Sequence, residues 1–383
     1  MSVEADRPFR VVRIDVHRLA APLATPRRNA FGAMTERPGL LVSATLDCGT
    51  TGWGEIFANW PAFGAAHRAR IVTDCLSPHA TARGFETAAE FWQTLTDATE
   101  VLAIQCAEPG PFAQAIGGLE IAVQDALARR VGVPLWRYIG GASQSRVRAY
   151  ASGVTAGTLD RLVPPLCDAG WTAFKLKVGF GADADRRALD RLRGHVGPNA
   201  AVMVDANQAW SRDDAIANLA WLADYDLTWL EEPISALASG DDWKAVCAAS
   251  PIPIAAGENL RGAAAFKATE AAGVAVLQPD PIKWGGLTGW RSVANARSAG
   301  THFAPHCLCG AVGSAATAAL AVAEDAAFME VDVTDNPLRS ELWPLETHVH
   351  DGCIRIDADT PGHGVTPTEG YLERWHARDA SSG

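Results

Sequence analysis

The sequence predicts an α/β protein in which a barrel of alternating strands and helices follows a smaller α+β domain. Its 383 residues exceed the size of one ordinary domain. After residue 146, short apolar runs recur with centres about 21 to 27 residues apart, which fits one strand, one helix and two turns. Alanine-rich helical segments separate these runs, whose sequences are VRAYASG, AFKLKVG, AVMVDA, LTWLEEP, PIAAGEN, VAVLQPD, HFAPH and FMEVD.

Composition excludes several classes of protein. The net charge of -11 and the pI near 5.4 argue against nucleic acid or an acidic membrane surface as the main partner. A hydrophobic content of 48% with mean hydropathy of +0.01 is typical of a well-cored soluble chain. The N-terminus lacks the apolar region of a signal peptide, and no stretch has the roughly 18 apolar residues of a membrane helix. With eight scattered cysteines, we expect a cytoplasmic protein that does not enter a membrane.

The first domain is expected to contain a small antiparallel sheet followed by helices. Residues 9–57 have the alternating pattern of antiparallel strands, and the polar segment 25–38 is expected to be an exposed loop. On this loop, Arg27 is either a solvated side chain or part of a mobile flap that meets an anionic substrate. Residues 65–138 follow a helical pattern, in which Glu120 is expected to form an ion pair or to lie at a domain interface.

Polar residues stand at the end of the predicted strand VMVDA. Asp205 and Asn207 are two residues apart, so an extended chain would direct both side chains to one face. A buried carboxylate without a partner is costly, so this acid is expected to have a role there. It is either an N-cap for the next helix or part of a functional site.

Charged residues recur at the ends of neighbouring strands, which favours the functional alternative. Lys175 and Lys177 share one face of a short strand, Glu231 and Glu232 precede a proline, and Glu258 ends another run. Catalytic groups of such barrels lie at the carboxyl ends of strands, so these side chains should converge. Carboxylates without thiolate or imidazole ligands suit a hard cation, Mg²⁺ or alternatively Mn²⁺, and disfavour zinc.

The later strand ends add an acid, a second lysine and a histidine. Asp280 is followed three residues later by Lys283, His306 ends the run HFAPH, and Glu330 lies in the last strand. A histidine considered alone is usually structural. Here Asp280 could pair with His306 and fix its tautomer, because the two occupy neighbouring strand ends.

Taken in order, the motifs KLK, VDAN, EEP, GEN, PDPIK and APH resemble those of the enolase superfamily, in its mandelate racemase and muconate-lactonizing branch. The resemblance covers essentially the whole chain. It implies a modified TIM barrel of the (β/α)7β type, with an N-terminal α+β capping domain that the C-terminal segment completes. The expected boundaries are 1–145 for the cap, 146–345 for the barrel and 346–383 for the returning segment. It also implies a homo-oligomer, a dimer or an octamer.

The resemblance assigns roles to individual residues. Asp205, Glu231 and Glu258 match the family's metal ligands. The remaining matches point to the mandelate racemase subgroup: Lys177 as the base on one face of the substrate with Lys175 beside it, His306 with Asp280 as the dyad on the other face, and Glu330 as the acid that hydrogen-bonds the substrate carboxylate. Enzymes of this superfamily combine a Lys or His base with Mg²⁺, and the resemblance extends that chemistry to these positions.

The implied reaction is removal of the proton α to the carboxylate of a small anionic substrate, through an enediolate. The same residues could then expel a β-leaving group or return the proton to the other face. The segments MEVDVTDNPLR and TPGHGV are similar to those of sugar-lactone cycloisomerases, so we favour β-elimination on an acid sugar or its lactone, by a dehydratase or cycloisomerase.

Two alternatives to this reaction stay open, together with the residues that bind the rest of the substrate. Lys283 is either a partner for Asp280 or a second-face base, which would favour a racemase or epimerase of a 2-hydroxy acid or an amino-acid derivative. Asn207, Trp60 and Arg27 are candidates for substrate binding. A non-catalytic barrel stabilised by its metal is the alternative from another class of protein.

Overall fold

A computed structural model describes residues 7–29, 32–141 and 145–378, without the side chains of residues 25–33 and 346. The first domain contains an antiparallel sheet in the order β3-β2-β1-β4. Its strands are β1 (Phe9–Asn29), β2 (Gly32–Leu46), β3 (Thr51–Glu55) and β4 (Gly84–Phe85).

The hairpin between β1 and β2 is longer than predicted. The prediction of an exposed loop over residues 25–38 is wrong, because most of this segment pairs as strand, with Arg27 opposite Met34. A register shift between Pro22 and Arg27 lets pairing resume beyond the prolines. The backbone of Arg27 therefore lies in β1, whereas its side chain lies outside the described part of the structure.

Helices cover one side of this sheet. They are α1 (Gly64–Arg70), α2 (Ser77–Thr81), α3 (Ala88–Gln105), α4 (Pro109–Arg130) and α5 (Leu135–Tyr138), with a π-helical turn over Ile71–Leu76. Helix α4 approaches β3 closely, since a Cβ atom on Gly54 would lie 1.9 Å from the Gly118 carbonyl oxygen. Glycines at this crossing therefore allow the backbones to touch.

The second part of the chain is a (β/α)7β barrel within the described residues, as predicted. Its strands are β5 (Arg146–Val154), β6 (Ala173–Lys177), β7 (Ala201–Asp205), β8 (Leu227–Glu231), β9 (Ile254–Ala256), β10 (Val276–Leu277), β11 (His302–Phe303) and β12 (Met329–Asp332). The intervening helices are α6 (Leu159–Asp168), α7 (Ala182–Val196), α8 (Arg212–Leu222), α9 (Gly240–Ala249), α10 (Ala263–Ala271), α11 (Gly286–Ala296) and α12 (Ala311–Ala323).

The strands pair in parallel in chain order from β5 to β11, and β12 pairs with β5. Two backbone hydrogen bonds complete the ring between the last strands: Ala327 N donates to Phe303 O (2.8 Å) and Glu330 N donates to Pro305 O (3.4 Å). No helix in the described part of the chain combines the length and apolar character needed to cross a bilayer.

Aromatic side chains fill the barrel interior below the strand ends. The ring centroid of Trp229 lies 5.3 Å from that of Tyr150 and 5.6 Å from that of Phe328, in edge-to-face arrangements. All three side chains are buried, and small residues such as Ala173 and Ala255 belong to the same cluster. This packed layer forms a rigid floor under the polar groups above it.

The C-terminal segment returns to the first domain. It contains α13 (Pro337–Ser340), α14 (Leu345–His348), β13 (Val349–His350), β14 (Cys353–Arg355) and α15 (Glu369–Trp375). Strand β14 pairs antiparallel with β5, and Ala377 N donates to Arg18 O on β1 (2.9 Å). The predicted domain boundaries at residues 145 and 345 remain predictions.

Two buried carboxyl groups join the cap to the barrel. Glu120 on α4 accepts from Leu287 N at the start of α11 (2.8 Å), which agrees with its expected place at a domain interface. Glu55 at the end of β3 accepts from Gly310 N (2.5 Å) and Gly313 N (2.8 Å) at the start of α12. Each carboxyl group thus satisfies amides that a helix N-terminus leaves free.

We expect stability to fall with rising pH because of Glu55. Burial raises the pKa of Glu55 to about 7. Between about pH 4.5 and pH 7 the folded protein keeps a proton that the unfolded chain has released, so ionisation costs up to about 3 kcal/mol of stability across this window. Glu55→Gln should therefore gain stability relative to the unmodified chain as pH rises, measured by urea unfolding at pH 5 and pH 8.

The matched control for this measurement is Glu100→Gln, which changes an exposed glutamate on α3. Its effect on the free energy of unfolding should be the same at both pH values. An equal effect of Glu55→Gln at pH 5 and pH 8 would contradict the assignment.

Candidate active site

The charged residues at the strand ends converge on one cluster at the carboxyl end of the barrel. It is called the carboxylate cluster here and has six carboxyl groups (Asp205, Glu231, Glu232, Glu258, Asp280 and Glu330) and four basic groups (Lys175, Lys177, Lys283 and His306). Parallel strands end at the same edge of the barrel, and this topology brings together residues far apart in the chain. The predicted convergence is confirmed.

Lys175 connects three of the carboxylates. Its Nζ lies 2.6 Å from Glu231, 2.9 Å from Glu330 and 3.7 Å from Asp205. Burial alone would lower the pKa of Lys175, but the carboxylates of Glu231 and Glu330 hold it well above its usual range. Lys175 is therefore a fixed positive charge in this arrangement.

Lys177 contacts Asp205, the last residue of β7. The distance from Lys177 Nζ to Asp205 Oδ2 is 2.5 Å, and Asn207 N donates to the other oxygen, Oδ1 (2.7 Å). Burial opposes ionisation of Asp205, but Lys177 and Lys175 lower its pKa. Asn207 lies beyond the end of β7 with a left-handed backbone (φ 44°), so strand alternation does not extend to it, contrary to expectation.

His306 lies between two carboxylates. Its Nδ1 is 2.6 Å from Asp280 Oδ2, and its Nε2 is 3.0 Å from Glu258 Oε2. The predicted pairing of Asp280 with His306 is confirmed. Burial would lower the pKa of His306, but Glu258 and Glu330 hold it well above its usual range.

Lys283 contacts a different carboxylate from the one expected. Its Nζ lies 3.2 Å from Glu258 Oε1, whereas its backbone N–H donates to Asp280 Oδ1 (3.2 Å). The ammonium also lies 5.1 Å from the ring centroid of Phe57, a residue of the cap. The side chain therefore enters the carboxylate cluster, and its expected ion pair with Asp280 is replaced by one with Glu258.

Glu330 is surrounded by donors. Ser152 Oγ donates to its Oε1 (2.5 Å), and Cys307 N donates to its Oε2 (3.0 Å). Burial raises the pKa of Glu330, but Lys175 and His306 lower it overall. These contacts favour a carboxylate, whereas the implied role requires the protonated acid, so that role remains a prediction.

Sequence reasoning left out two polar residues of this region, Gln278 and Ser152, and gave Glu232 a place at a strand end but no role. Glu232 is buried and accepts from Asn259 Nδ2 (2.9 Å). Gln278 donates to Glu231, and Ser152 donates to Glu330 as described above. Their place at strand ends was a usable signal, because Ser152 lies in VRAYASG and Gln278 in VAVLQPD.

The cap reaches the barrel through the segment after β3. Asn59 Nδ2 donates to Leu308 O (2.9 Å), and Phe57 N donates to Ile282 O (3.4 Å). Trp60 follows Asn59 directly and is partly buried. The cap segment that carries Trp60 therefore contacts the barrel loops next to His306 and Lys283, and its role in substrate binding remains a prediction.

The chemistry of the carboxylate cluster fits a divalent cation. It has six acidic and four basic groups, so it carries a net negative charge once all six carboxyl groups are ionised, even when all four bases are protonated. Burial and the neighbouring carboxylates raise the pKa of both Glu231 and Glu232 to about 8. The set has oxygen ligands that Mg²⁺ prefers, and a bound cation would relieve this repulsion.

In the arrangement described, the bases occupy the carboxylate oxygens. Across residues 7–29, 32–141 and 145–378, no group of three or more His, Cys, Asp and Glu side chains is placed so that it could hold a metal ion. Lys177 lies on Asp205 and His306 lies on Glu258. Cation binding by these carboxylates would therefore require both bases to move away from them.

Comparison with protein families gives two matches that together span most of the chain. Residues 12–140 match the N-terminal domain of the mandelate racemase/muconate lactonizing enzymes, and residues 160–371 match the enolase C-terminal domain-like family.

Characterised relatives carry out several reactions. D-galactarolactone cycloisomerase of Agrobacterium fabrum is 28% identical over 97% of this chain and 100% of its own length. A hydrophobic dipeptide epimerase of Roseobacter litoralis is 27% identical over 92% of this chain and 98% of its own. D-galactonate dehydratase of Klebsiella pneumoniae is 26% identical over 72% of this chain and 73% of its own.

Solved structures agree with the fold. A mandelate racemase/muconate lactonizing enzyme from Bordetella bronchiseptica RB50 is 40% identical, with a TM-score of 0.90 over 96% of this chain and 99% of that chain. An enolase from Bradyrhizobium, complexed with magnesium and mandelic acid, is 29% identical, with a TM-score of 0.82 over 97% of this chain and 99% of that chain.

Proposed function

Because the chain belongs to the mandelate racemase/muconate lactonizing enzyme family of the enolase superfamily, we propose that it removes the proton α to the carboxylate of a small acid in a Mg²⁺-dependent reaction. Its relatives are cycloisomerases and dehydratases, which makes it an enzyme of the isomerase or lyase type. A non-catalytic barrel is thereby set aside.

One observation carries the proposal: two basic groups reach the carboxylate cluster from opposite sides of the barrel. Lys177 ends β6 and contacts Asp205, whereas His306 follows β11 and contacts Glu258. These strands are well separated in the ring. A flat enediolate held between them would present one face to each base, which proton abstraction and delivery on two faces require.

Asp205, Glu231 and Glu258 would hold Mg²⁺, or alternatively Mn²⁺. The bound ion would supply the positive charge that stabilises the second negative charge of an enediolate. Lys175 lies between Asp205 and Glu231. Its fixed positive charge would lie beside the carboxylate of the substrate. Glu330 would hydrogen-bond that carboxylate when protonated.

The residues on the two sides then have complementary tasks. Lys177 would remove or return a proton at Nζ on one face, and His306 would do so at Nε2 on the other. Asp280 accepts from Nδ1 and so keeps Nε2 available. Trp60, Asn207 and Arg27 would contact the rest of the substrate.

We favour β-elimination from an acid sugar or its lactone. In this reaction one base removes the α-proton and the group on the other face protonates the departing oxygen. The cycloisomerase and dehydratase relatives act on substrates of this class by their names, and this supports the choice.

Epimerisation is the second candidate, and the position of Lys283 favours it. The Lys283 ammonium enters the carboxylate cluster beside Glu258 instead of pairing with Asp280. A lysine there would supply a second-face base. A relative named as a dipeptide epimerase makes amino-acid derivatives the alternative substrates.

We expect chelation to abolish turnover and Mg²⁺ to restore it. Acid sugars, their lactones and dipeptides would be incubated in D₂O with Mg²⁺, and product and α-deuterium followed by NMR. After EDTA treatment both signals should fall to background, because the carboxylate cluster then lacks the charge that stabilises the enediolate. Mn²⁺ should restore part of the activity.

The outcomes separate the candidates. Loss of water or ring opening supports elimination, whereas deuterium entry with retention of every oxygen supports epimerisation. Turnover that persists unchanged in EDTA would contradict the proposal.

The quaternary state and compartment also belong to the proposal. We expect a dimer or octamer in a reducing cytoplasm. The eight cysteines, all in described residues, are free thiols, which suits such a compartment. Mass photometry measures the oligomer directly.

A further inference from the structure

The second oxygen of Glu231 is held from inside the barrel. Gln278 Nε2 donates to Glu231 Oε2 at 2.6 Å, and Trp229 Nε1 donates to the same oxygen at 3.3 Å. The other oxygen, Oε1, accepts from Lys175 Nζ at 2.6 Å. The two oxygens of one carboxylate therefore face different environments: neutral donors on one side and a cation on the other.

Both donors are fixed by packing. Gln278 is 1% exposed, and its backbone N donates to Ala256 O on β9 (2.9 Å). Trp229 is 1% exposed and belongs to the aromatic floor with Tyr150 and Phe328. Neither side chain can follow Glu231 if the carboxylate turns, so rotation would leave buried donors without a partner.

We propose that Gln278 and Trp229 are positioning residues that keep Glu231 Oε2 turned into the barrel, so that the Glu231 carboxylate offers only Oε1 to Mg²⁺. The inference rests on the proposed function, because it concerns how Glu231 would hold Mg²⁺. Mg²⁺ requires compact octahedral geometry, whereas Ca²⁺ accepts bidentate carboxylates and more ligands. Restricting Glu231 to one oxygen therefore selects for Mg²⁺.

The test is Gln278→Leu, which keeps similar volume and removes the donor. Metal-free protein is titrated with Mg²⁺ and separately with Ca²⁺ by calorimetry. The Kd for Mg²⁺ should rise about tenfold or more, as loss of such outer partners does in other metal sites. The Kd for Ca²⁺ should change less, because Oε2 becomes free to join a bidentate contact. The preference for Mg²⁺ over Ca²⁺ should fall.

Trp229→Phe keeps the aromatic floor and removes only the indole N–H, so it tests the same idea if Gln278→Leu does not fold. Its effect should have the same direction and be smaller, since its hydrogen bond is longer. Gln124→Leu is the matched control: Gln124 is also buried and donates to a buried carboxylate, Glu120 Oε1 (2.9 Å), at the cap interface. It should leave both metal affinities unchanged.

Three results would overturn the inference. Equal weakening of Mg²⁺ and Ca²⁺ would assign Gln278 a merely structural role, and unchanged affinities would remove its role altogether. If the unmodified protein binds no Mg²⁺, the proposed function fails and this inference fails with it.

Discussion

Lys177→Met is expected to lower kcat by ~10²–10⁴, the usual contribution of a general base or acid. Methionine keeps the length and apolar stem of the side chain but cannot take or give a proton. The Lys177 ammonium lies against Asp205, at the edge of the carboxylate cluster with a quarter of its side chain exposed, so the fold should tolerate the change. Turnover with a substrate found in the D₂O screen measures the effect, together with the rate of α-deuterium entry.

Lys177→Arg separates charge from proton transfer. Arginine keeps a positive charge that can pair with Asp205 but stays protonated at all accessible pH values. If Lys177 transfers a proton, both variants lose turnover equally. If its charge alone matters, the arginine variant retains most of the activity and the assigned role is wrong. Lys267→Met, at an exposed position of α10, is the matched control and should be silent.

The sequence sufficed for the barrel and for most of the carboxylate cluster. A period of one strand and one helix fixes where each strand ends, and parallel strands end at one edge. Charged residues at those ends therefore had to meet, as Lys175 meets Glu231 and Asp280 meets His306. This inference needs only local patterns and the topology.

Contacts that do not join two strand ends of the barrel could not be predicted in this way. Lys283 pairs with Glu258 instead of Asp280, its nearer neighbour in sequence, because the direction of its side chain depends on loops whose backbone follows no periodic pattern. Glu55 binds the start of α12 across more than two hundred residues of sequence, and neither partner carries a local signal for the other. The hairpin over residues 25–38 was missed because its prolines and glycine are equally typical of loops.

Asp280→Asn is the second variant with a large expected effect, a decrease of kcat by ~10²–10⁴. Asp280 Oδ1 accepts from Ile282 N (2.9 Å) and Lys283 N (3.2 Å), which leaves Oδ2 for His306. In the asparagine variant the single oxygen would stay on those two amides, so the amide NH₂ would face His306 Nδ1. A neutral His306 would then carry its proton on Nε2 and could not accept another there.

The control for this tautomer argument is Asp185→Asn. Asp185 is also buried and accepts from backbone amides, with Gly179 N at 2.9 Å, and it lies outside the carboxylate cluster. It should keep normal turnover. Full activity of Asp280→Asn, together with loss of activity in His306→Asn, would show that His306 works without Asp280.

Comparing α-deuterium entry in the two variants assigns the proton-abstracting base. In an elimination, the group that removes the α-proton controls exchange, whereas the group on the other face controls only departure of the β-oxygen. A variant that still exchanges the α-proton but forms no product has therefore lost the acid. In an epimerisation, each variant should instead lose exchange from one stereoisomer only, because each base serves one face. The measurement shows which stereoisomer of the substrate exchanges its α-proton in Lys177→Met and which does so in Asp280→Asn. This result distinguishes elimination from epimerisation even where both variants have equally low kcat.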